Sequence, residues 1–166
     1  MSRPRLLDLF CGDGGASMGY FLAGFDVTGV DVVPRPRYPF TFVQADATKY
    51  PLDGFDALAG SPPCNDHSAL ASLSGRHGTG WMLPHTVERF RASGLPWAVE
   101  NVETADLPGA TMLCGTHFGL GAEGRVLKRH RLFLTSFDVP HPGPCICRGM
   151  PVSYTHLRAH ETVLDL

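Results

Sequence analysis

The sequence lacks a long hydrophobic run and lacks an excess of basic charge. None of its apolar stretches approaches the roughly 20 residues that a membrane-spanning helix needs, so we expect no association with a membrane. Its 166 residues carry a formal net charge of −2, so any surface for a polyanion must be a local patch. Residues 1–5 lead directly into a predicted strand, and we therefore expect no signal peptide.

Cysteine is scarce, and the five cysteines cannot all pair with one another. Their spacing is not that of a disulfide framework, so we expect free thiols in a reducing cytoplasm. Cys145 and Cys147, with His141 nearby, have a C-x-C spacing that is not typical of a zinc finger, and no second pair of ligands follows. We therefore predict no metal site and interpret Cys114, Cys145 and Cys147 as inert thiols.

Short apolar segments alternate with amphipathic ones along the chain. Hydrophobic residues make up 43% of the sequence and charged residues 18%, as in an ordinary folded domain. Strands are predicted at 6–10, 26–31, 40–46, 55–60, 97–102 and around 132–134, helices at 16–23 and 81–93, and a loop at 65–80. This alternation predicts an α/β fold with a mostly parallel, doubly wound sheet.

A glycine-rich turn follows the first predicted strand, in the run from Asp8 to Gly15. Glycines at this place let the backbone approach a ligand, and the helix that follows favours polar or anionic groups at its N-terminus. Asp31 ends the second strand, where a carboxylate can accept hydrogen bonds from ribose hydroxyls. The ligand is then a dinucleotide or S-adenosylmethionine. Ser17 stands where the dinucleotide pattern has its third glycine, which weakens the first alternative.

Cys64 has the setting that most clearly indicates chemistry. It follows the fourth predicted strand in the run Ser61-Pro62-Pro63-Cys64, and ligands of open α/β sheets bind at the carboxyl ends of the strands. A thiolate there is a strong nucleophile. Glu100 lies at the end of the fifth strand, where a buried carboxyl group can act as an acid. Arg129 and Arg131 are able to steady a carbonyl, a carboxylate or a phosphate.

These four segments, in this order and approximate spacing, resemble cytosine-5 DNA methyltransferases, especially the short enzymes of bacteriophages and actinobacteria. The resemblance spans about residues 5–137. It implies a Rossmann-like S-adenosylmethionine-dependent methyltransferase fold that is incomplete at its C-terminus. It further implies methylation of cytosine C5 in double-stranded DNA, with the target base flipped out, by a monomeric cytoplasmic enzyme of a bacterium or a phage-infected cell.

The resemblance also implies a role for individual residues. Cys64 would be the nucleophile, Glu100 the acid that grips the base, and Arg129 and Arg131 the groups that anchor the substrate. S-adenosylmethionine would be held by residues at or near the carboxyl ends of the first four predicted strands. They are Asp8, Phe10, Cys11, Gly12, Gly14, Gly15, Asp31, Val32, Asp46, Ala47 and Pro63. The stretch at 65–80 would close over the flipped base.

The sequence departs from the family pattern at several positions. Ser61 and Asn65 flank the nucleophile where Gly or Ala and Gln are usual, Leu127 replaces a Gln, and Asp31 replaces a Glu. The region that reads the DNA sequence and the segment that closes the cofactor pocket are missing. Three alternatives therefore stay open: an RNA cytosine-5 methyltransferase, a non-catalytic relative that binds S-adenosylmethionine, and a dinucleotide-dependent oxidoreductase.

The last part of the sequence does not resemble a domain. Residues 151–162 resemble the translation of a transposase adapter used in sequencing libraries, and the match covers residues 152–157 in full. We therefore predict a methyltransferase domain at 1–150, which is partial, and a non-native tail at 151–166 that makes no specific contact with the fold.

Overall fold

The computed structural model describes residues 2–63, 80–122, 124–149 and 151–154. Within these ranges the helices are α1 (Gly15–Leu22) and α2 (Met82–Ser93), together with a short 3-10 helix, Gly115–Phe118. Neither α1 nor α2 is long and apolar enough to cross a bilayer. The strands are β1 (Arg5–Leu9), β2 (Asp26–Asp31), β3 (Thr41–Gln44), β4 (Ala57–Gly60), β5 (Trp97–Val102), β6 (Thr111–Cys114), β7 (Gly121–Ala122), β8 (Arg125–Lys128), β9 (His130–Thr135) and β10 (Val152–Tyr154).

Seven of these strands form one sheet in the order β3-β2-β1-β4-β5-β9-β6. The first five strands in this order run parallel to one another, and β9 runs antiparallel to both β5 and β6. The predicted α/β class with a mostly parallel, Rossmann-like sheet is confirmed. Because the chain moves outward from β1 in one direction to β2 and in the other direction to β4, a crevice opens between their carboxyl ends.

Both faces of the sheet are covered, as the term doubly wound implies. Successive side chains of a strand point to opposite faces, and Leu7 and Leu9 are fully buried in a cluster that includes Phe90 of α2. Leu6 belongs to a second cluster, against which Tyr20 of α1 packs. The two clusters hold the two helices against the sheet, and through α1 they hold the turn that follows β1.

A second, three-stranded sheet has the order β10-β8-β7. In it β10 runs parallel to β8 with Val152 opposite Val126, and the amide of Val126 donates to the Pro151 carbonyl at 2.9 Å. The expectation that residues 151–166 make no specific contact with the fold is therefore wrong for 151–154, because their backbone completes a strand ladder. Residues 155–166 lie outside the described residues. The division at residue 150 and the non-native origin of the tail stay predictions.

Candidate active site

A cavity of about 530 Å³ opens at the carboxyl ends of β1 to β4. Its size is that of a site for a small molecule or cofactor. Most of the residues predicted to hold S-adenosylmethionine line it, namely Phe10, Gly12, Asp31, Val32, Asp46, Ala47 and Pro63. Sequence analysis did not assign its remaining lining residues to the cofactor; they are Val33, Arg35, Thr48, Ser61 and Met82. Only Ser61 could have been expected there, since it immediately follows β4.

The turn after β1 holds an unusual backbone conformation at the cavity. Phe10 has φ 60°, and among the described residues it is the one non-glycine residue with a positive φ. A bulky side chain rarely adopts this conformation, and such strained residues concentrate at functional sites. Gly14 has φ 89°, and a Cβ atom there would lie 3.0 Å from Pro39 and 3.1 Å from Tyr38. The turn therefore needs glycine at this position.

Asp31 braces the turn as well as lining the cavity. Its Oδ2 accepts a hydrogen bond from the Gly12 amide at 3.1 Å, and its Oδ1 accepts one from the Val33 amide at 2.9 Å. Arg35 forms an ion pair with Asp31 at 3.3 Å and another with Asp13 at 3.2 Å. A carboxylate offers about four lone-pair positions, so Asp31 keeps room for one further donor such as a ribose hydroxyl.

Asp46 follows β3 and faces the same cavity. Its Oδ1 accepts from the Thr48 hydroxyl at 2.6 Å and from the Thr48 amide at 2.9 Å. These two hydrogen bonds, aided by nearby Lys49, lower the pKa of the Asp46 carboxyl. Asp46 is therefore ionised near neutral pH, and its carboxylate orders the turn that places Ala47 on the cavity wall.

Four residues that the sequence assigns to the cofactor, Asp8, Cys11, Gly14 and Gly15, are not among those that line the cavity. Asp8 is buried beneath the turn and accepts a hydrogen bond from the Ser17 hydroxyl at 2.5 Å, while Ser17 accepts one from the Tyr38 hydroxyl at 2.8 Å. Burial raises the pKa of Asp8 to about 6. Burial, with the charge of Asp8, raises the pKa of the Cys11 thiol to about 12. Asp8 and Cys11 support the turn from below, and their contact with a cofactor stays a prediction.

Cys64, the predicted nucleophile, lies outside the described residues, as do residues 65–79. The segment that leads to Cys64 is described, and it is tied to two strands. The Ser61 amide donates to the Leu9 carbonyl at 3.2 Å, and the amide group of Asn101 donates to the Pro62 carbonyl at 3.0 Å. Asn101 is 3% exposed. Sequence analysis assigned no role to Asn101, and the structure shows that it anchors the turn before Cys64.

The predicted acid and one predicted arginine contact each other. Glu100 Oε1 lies 2.7 Å from Arg131 Nε, and Arg131 Nη1 donates to the His130 carbonyl at 2.7 Å. In the antiparallel pairing of β5 and β9, Arg131 lies opposite Val102 and Phe133 lies opposite Glu100. Glu100 and Arg131 are therefore diagonal neighbours on one face of the sheet, within reach of long side chains. Partial desolvation and the like charge of Arg131 lower the pKa of Arg129, while the charge of Glu100 acts in the opposite sense. The three predicted groups therefore share one electrostatic neighbourhood.

Comparisons with known proteins are consistent with this geometry. No protein-family model matches the chain. A curated relative, the type II methylase M.HgiDII of Herpetosiphon aurantiacus, is 33% identical over 94 residues, which are 47% of this chain and 26% of the relative. The match thus spans about a quarter of the length of that curated relative.

Solved structures resemble the chain at the level of the fold. The Thermoplasma acidophilum 1320 structure has a TM-score of 0.50 and 14% identity, over 82% of this chain and 81% of that one. An S-adenosylmethionine-dependent methyltransferase of Mesorhizobium loti has a TM-score of 0.38 and 20% identity, over 61% of this chain and 47% of that one. The first similarity agrees with the predicted fold class, and the second is too distant to support an argument.

Proposed function

We propose that this chain is the catalytic part of an S-adenosylmethionine-dependent methyltransferase that acts on cytosine C5 in double-stranded DNA. The observation that carries the proposal is the position of the cavity. Pro63, which directly precedes Cys64, lines the cavity, and Asn101 joins that turn to the strand that presents Glu100. The identity with a type II methylase supports the same function.

The residues of the cavity fit S-adenosylmethionine. Asp31 and Asp46 offer carboxylates to hydroxyl and amino groups, and their negative charge suits a ligand that carries a sulfonium cation. Phe10, Val32 and Met82 supply apolar surface for a flat base. When bound, this cofactor supplies an electrophilic methyl group. Among the described residues that line the cavity, the one basic side chain, Arg35, is held by two carboxylates, which favours S-adenosylmethionine over a ligand with two phosphates.

Cytosine C5 is a poor nucleophile, and Cys64 would change that. Its thiolate sulfur forms a bond to C6, and the electron pair of the C5–C6 double bond moves toward C5. Bound S-adenosylmethionine would supply the methyl group that C5 accepts; removal of the C5 proton by a base would then let the C6–sulfur bond break, with its electron pair returning to Cys64. Each new bond thus has a matching broken one, and Cys64 is regenerated as a thiolate.

Glu100 and the arginines would assist at the other edge of the base. The ion pair with Arg131 engages Oε1 of Glu100, which leaves Oε2 to accept a hydrogen bond from the exocyclic amine of cytosine or, when it carries a proton, to donate one to N3. Arg129 supplies positive charge for the developing charge at O2, an electrostatic contribution that acts only as the reaction proceeds. A base inside a duplex cannot reach these groups, so the target must be flipped out at a cost of roughly a few kcal/mol.

Covalent trapping tests this function. The longest form of the chain that its gene encodes is incubated with S-adenosylmethionine and duplex DNA containing 5-fluorocytosine, since fluorine blocks release from C5. We expect a protein–DNA adduct that Cys64→Ser abolishes and Cys11→Ser retains. A parallel incubation with tRNA in place of duplex DNA tests the alternative that the chain methylates RNA. An adduct that persists in Cys64→Ser, or methylation of DNA at a position other than C5, would contradict the proposal.

A further inference from the structure

Four potential metal ligands from distant parts of the sequence lie together at one end of β6 and β9. They are Cys114, His130, Cys145 and Cys147, and their ligating atoms all lie within 4.8 Å of one another. Pairing of β6 with β9 sets Cys114 directly opposite His130. The segment after β9 then brings in the other two thiols, and His141, which the sequence suggested as a ligand, is not among the four.

The distances are close to those of a tetrahedral zinc site. Cys145 Sγ lies 3.2 Å from Cys147 Sγ, and His130 Nε2 lies 3.4 Å and 3.3 Å from these two sulfurs. A zinc ion with bonds of about 2.3 Å to sulfur and 2.0–2.1 Å to nitrogen sets such ligand atoms roughly 3.6–3.8 Å apart. Shifts of a few tenths of an ångström therefore bring these three atoms to zinc-site separations, and Cys114 Sγ lies within 4.8 Å of each of them. The thiols are free, and the separation of Cys145 and Cys147 exceeds that of a disulfide.

The imidazole of His130 is held in the orientation that a metal ligand needs. Its Nδ1 lies 2.6 Å from Glu103 Oε2. Donation of the Nδ1 proton to this carboxylate leaves the lone pair on Nε2, which faces Cys145 and Cys147. A carboxylate behind a histidine is the usual outer partner of a zinc-bound imidazole, because it fixes the tautomer and raises the basicity of the ligand.

The burial of the ligands and the irregular backbone that carries two of them indicate the role of a metal at this site. Cys114 is 1% exposed and Cys147 is 5% exposed. Residues 138–147 form neither helix nor strand, so little regular backbone pairing holds Cys145 and Cys147 near the sheet. Four protein ligands leave no open position, which is the mark of a structural site rather than a catalytic one.

We propose that Cys114, His130, Cys145 and Cys147 bind one Zn²⁺ in a closed tetrahedral site that fixes the segment after β9 to the sheet. Three thiolates and one imidazole form a donor set that selects zinc over harder divalent ions. His130 lies between Arg129 and Arg131, so the metal also fixes the backbone that presents both arginines. The site itself is independent of the proposed function, since its argument uses none of the cavity residues.

Metal analysis of the purified chain tests this site directly. The chain is produced in zinc-supplemented medium and purified under reducing conditions without a chelator or a metal-affinity step. We expect about one zinc per chain by elemental analysis. Cys145→Ser and Cys147→Ser should lose the metal. The matched controls Cys11→Ser and His141→Ala should keep it, because the first replaces a buried thiol elsewhere and the second a histidine in the same segment.

Two further measurements keep the test decisive if a ligand variant does not fold. Replacement of zinc by Co²⁺ in the unaltered chain should give the intense tetrahedral absorption and the thiolate charge-transfer band of a sulfur-rich site. Glu103→Gln, which leaves all four ligands in place, should weaken zinc binding about 10–100-fold. Substoichiometric zinc in the reduced chain, a weak octahedral cobalt spectrum, a Cys145–Cys147 disulfide by mass, or equal zinc loss in Cys11→Ser would each overturn the proposal.

Discussion

At the scale of single residues, several side chains serve the cavity and the fold at once. Asp31 lines the cavity and also accepts hydrogen bonds from the Gly12 and Val33 amides. Asn101 donates to the Pro62 carbonyl through its amide nitrogen and accepts from the Val102 amide through its oxygen. Each of these residues therefore joins two strand ends, and its replacement changes the shape of the site as well as its chemistry.

Asp31→Ala should weaken binding of S-adenosylhomocysteine about 10–100-fold, measured by calorimetry, because a charge-assisted hydrogen bond contributes about 1.5–3 kcal/mol. It should also lower the melting temperature, since the Gly12 and Val33 amides lose their acceptor. Asp13→Ala is the control, as it removes the other ion pair of Arg35 without removing a cavity residue. Equal affinity in Asp31→Ala and the unaltered chain would remove Asp31 from the cofactor site.

The raised pKa of Asp8 predicts that this residue contributes less to the stability of the fold as the pH rises. Its carboxyl is 1% exposed, and burial, opposed by the Ser17 hydrogen bond, raises its pKa from 3.8 to about 6. A raised pKa means that the fold favours the protonated form. The stabilisation is complete below about pH 4 and is lost as the pH rises through about 6.

Asp8→Asn should remove this dependence. The difference in free energy of unfolding between Asp8→Asn and the unaltered chain should shift by about 2 kcal/mol in favour of the variant between pH 4 and pH 7.5. Urea unfolding at several pH values measures it, and the other carboxyl groups cancel because both proteins share them. Parallel stability profiles for the two proteins would show that Asp8 titrates with an ordinary pKa.

At the scale of elements, glycine decides how closely strands and helices approach. A Cβ atom at Gly29 in β2 would lie 2.2 Å from the Tyr38 hydroxyl and 2.7 Å from Cys11 Sγ. Tyr38 cannot retreat without losing its hydrogen bond to Ser17. At Gly19 in α1 a Cβ atom meets nothing within 4 Å. Close packing therefore requires glycine at position 29 and does not require it at position 19.

Alanine substitutions at these two positions should therefore act in opposite directions. Gly29→Ala should destabilise the chain by about 1–3 kcal/mol through overpacking. Gly19→Ala should stabilise it by roughly 0.5–1 kcal/mol, because it removes backbone freedom inside a helix. Thermal or urea unfolding of both variants measures the difference. A stable Gly29→Ala would mean that the Tyr38 ring repacks and that the support beneath the turn is not rigid.

Elements with a strong local pattern could be predicted, and those defined by distant partners could not. The bounds of β2 and β5 are those predicted, and a turn-forming residue lies just before each strand, Gly24 before β2 and Pro96 before β5. Four-residue β6 and β8 were missed, because Thr111–Cys114 and Arg125–Lys128 carry no alternation long enough to detect. The cluster of Cys114 and His130 depends on the register between β6 and β9, and sequence spacing contains no information on that register.

At the scale of the whole molecule, the cavity and the thiol–histidine cluster lie at different parts of the main sheet. The cavity and the turn before Cys64 lie over the parallel strands β1 to β4. The antiparallel strands β9 and β6 provide Arg131 and the thiol–histidine cluster. Within the described part of the sheet, β5 connects the two, since it pairs with β4 on one side and with β9 on the other. Glu100 and Asn101 lie on this strand, so the proposed chemistry depends on its position.

Truncation within the small sheet tests whether residues 151–154 contribute to the stability of the fold. A chain that ends at residue 154 keeps β10, and one that ends at residue 150 loses its pairing with β8. We expect the shorter chain to melt about 2–4 °C lower, which corresponds to about 1 kcal/mol for a protein of this size. Because β8 leads into Arg129 and His130, the shorter chain should also retain less zinc. Identical melting curves for both chains would show that residues 151–154 add no stability, as expected of a tail foreign to the fold.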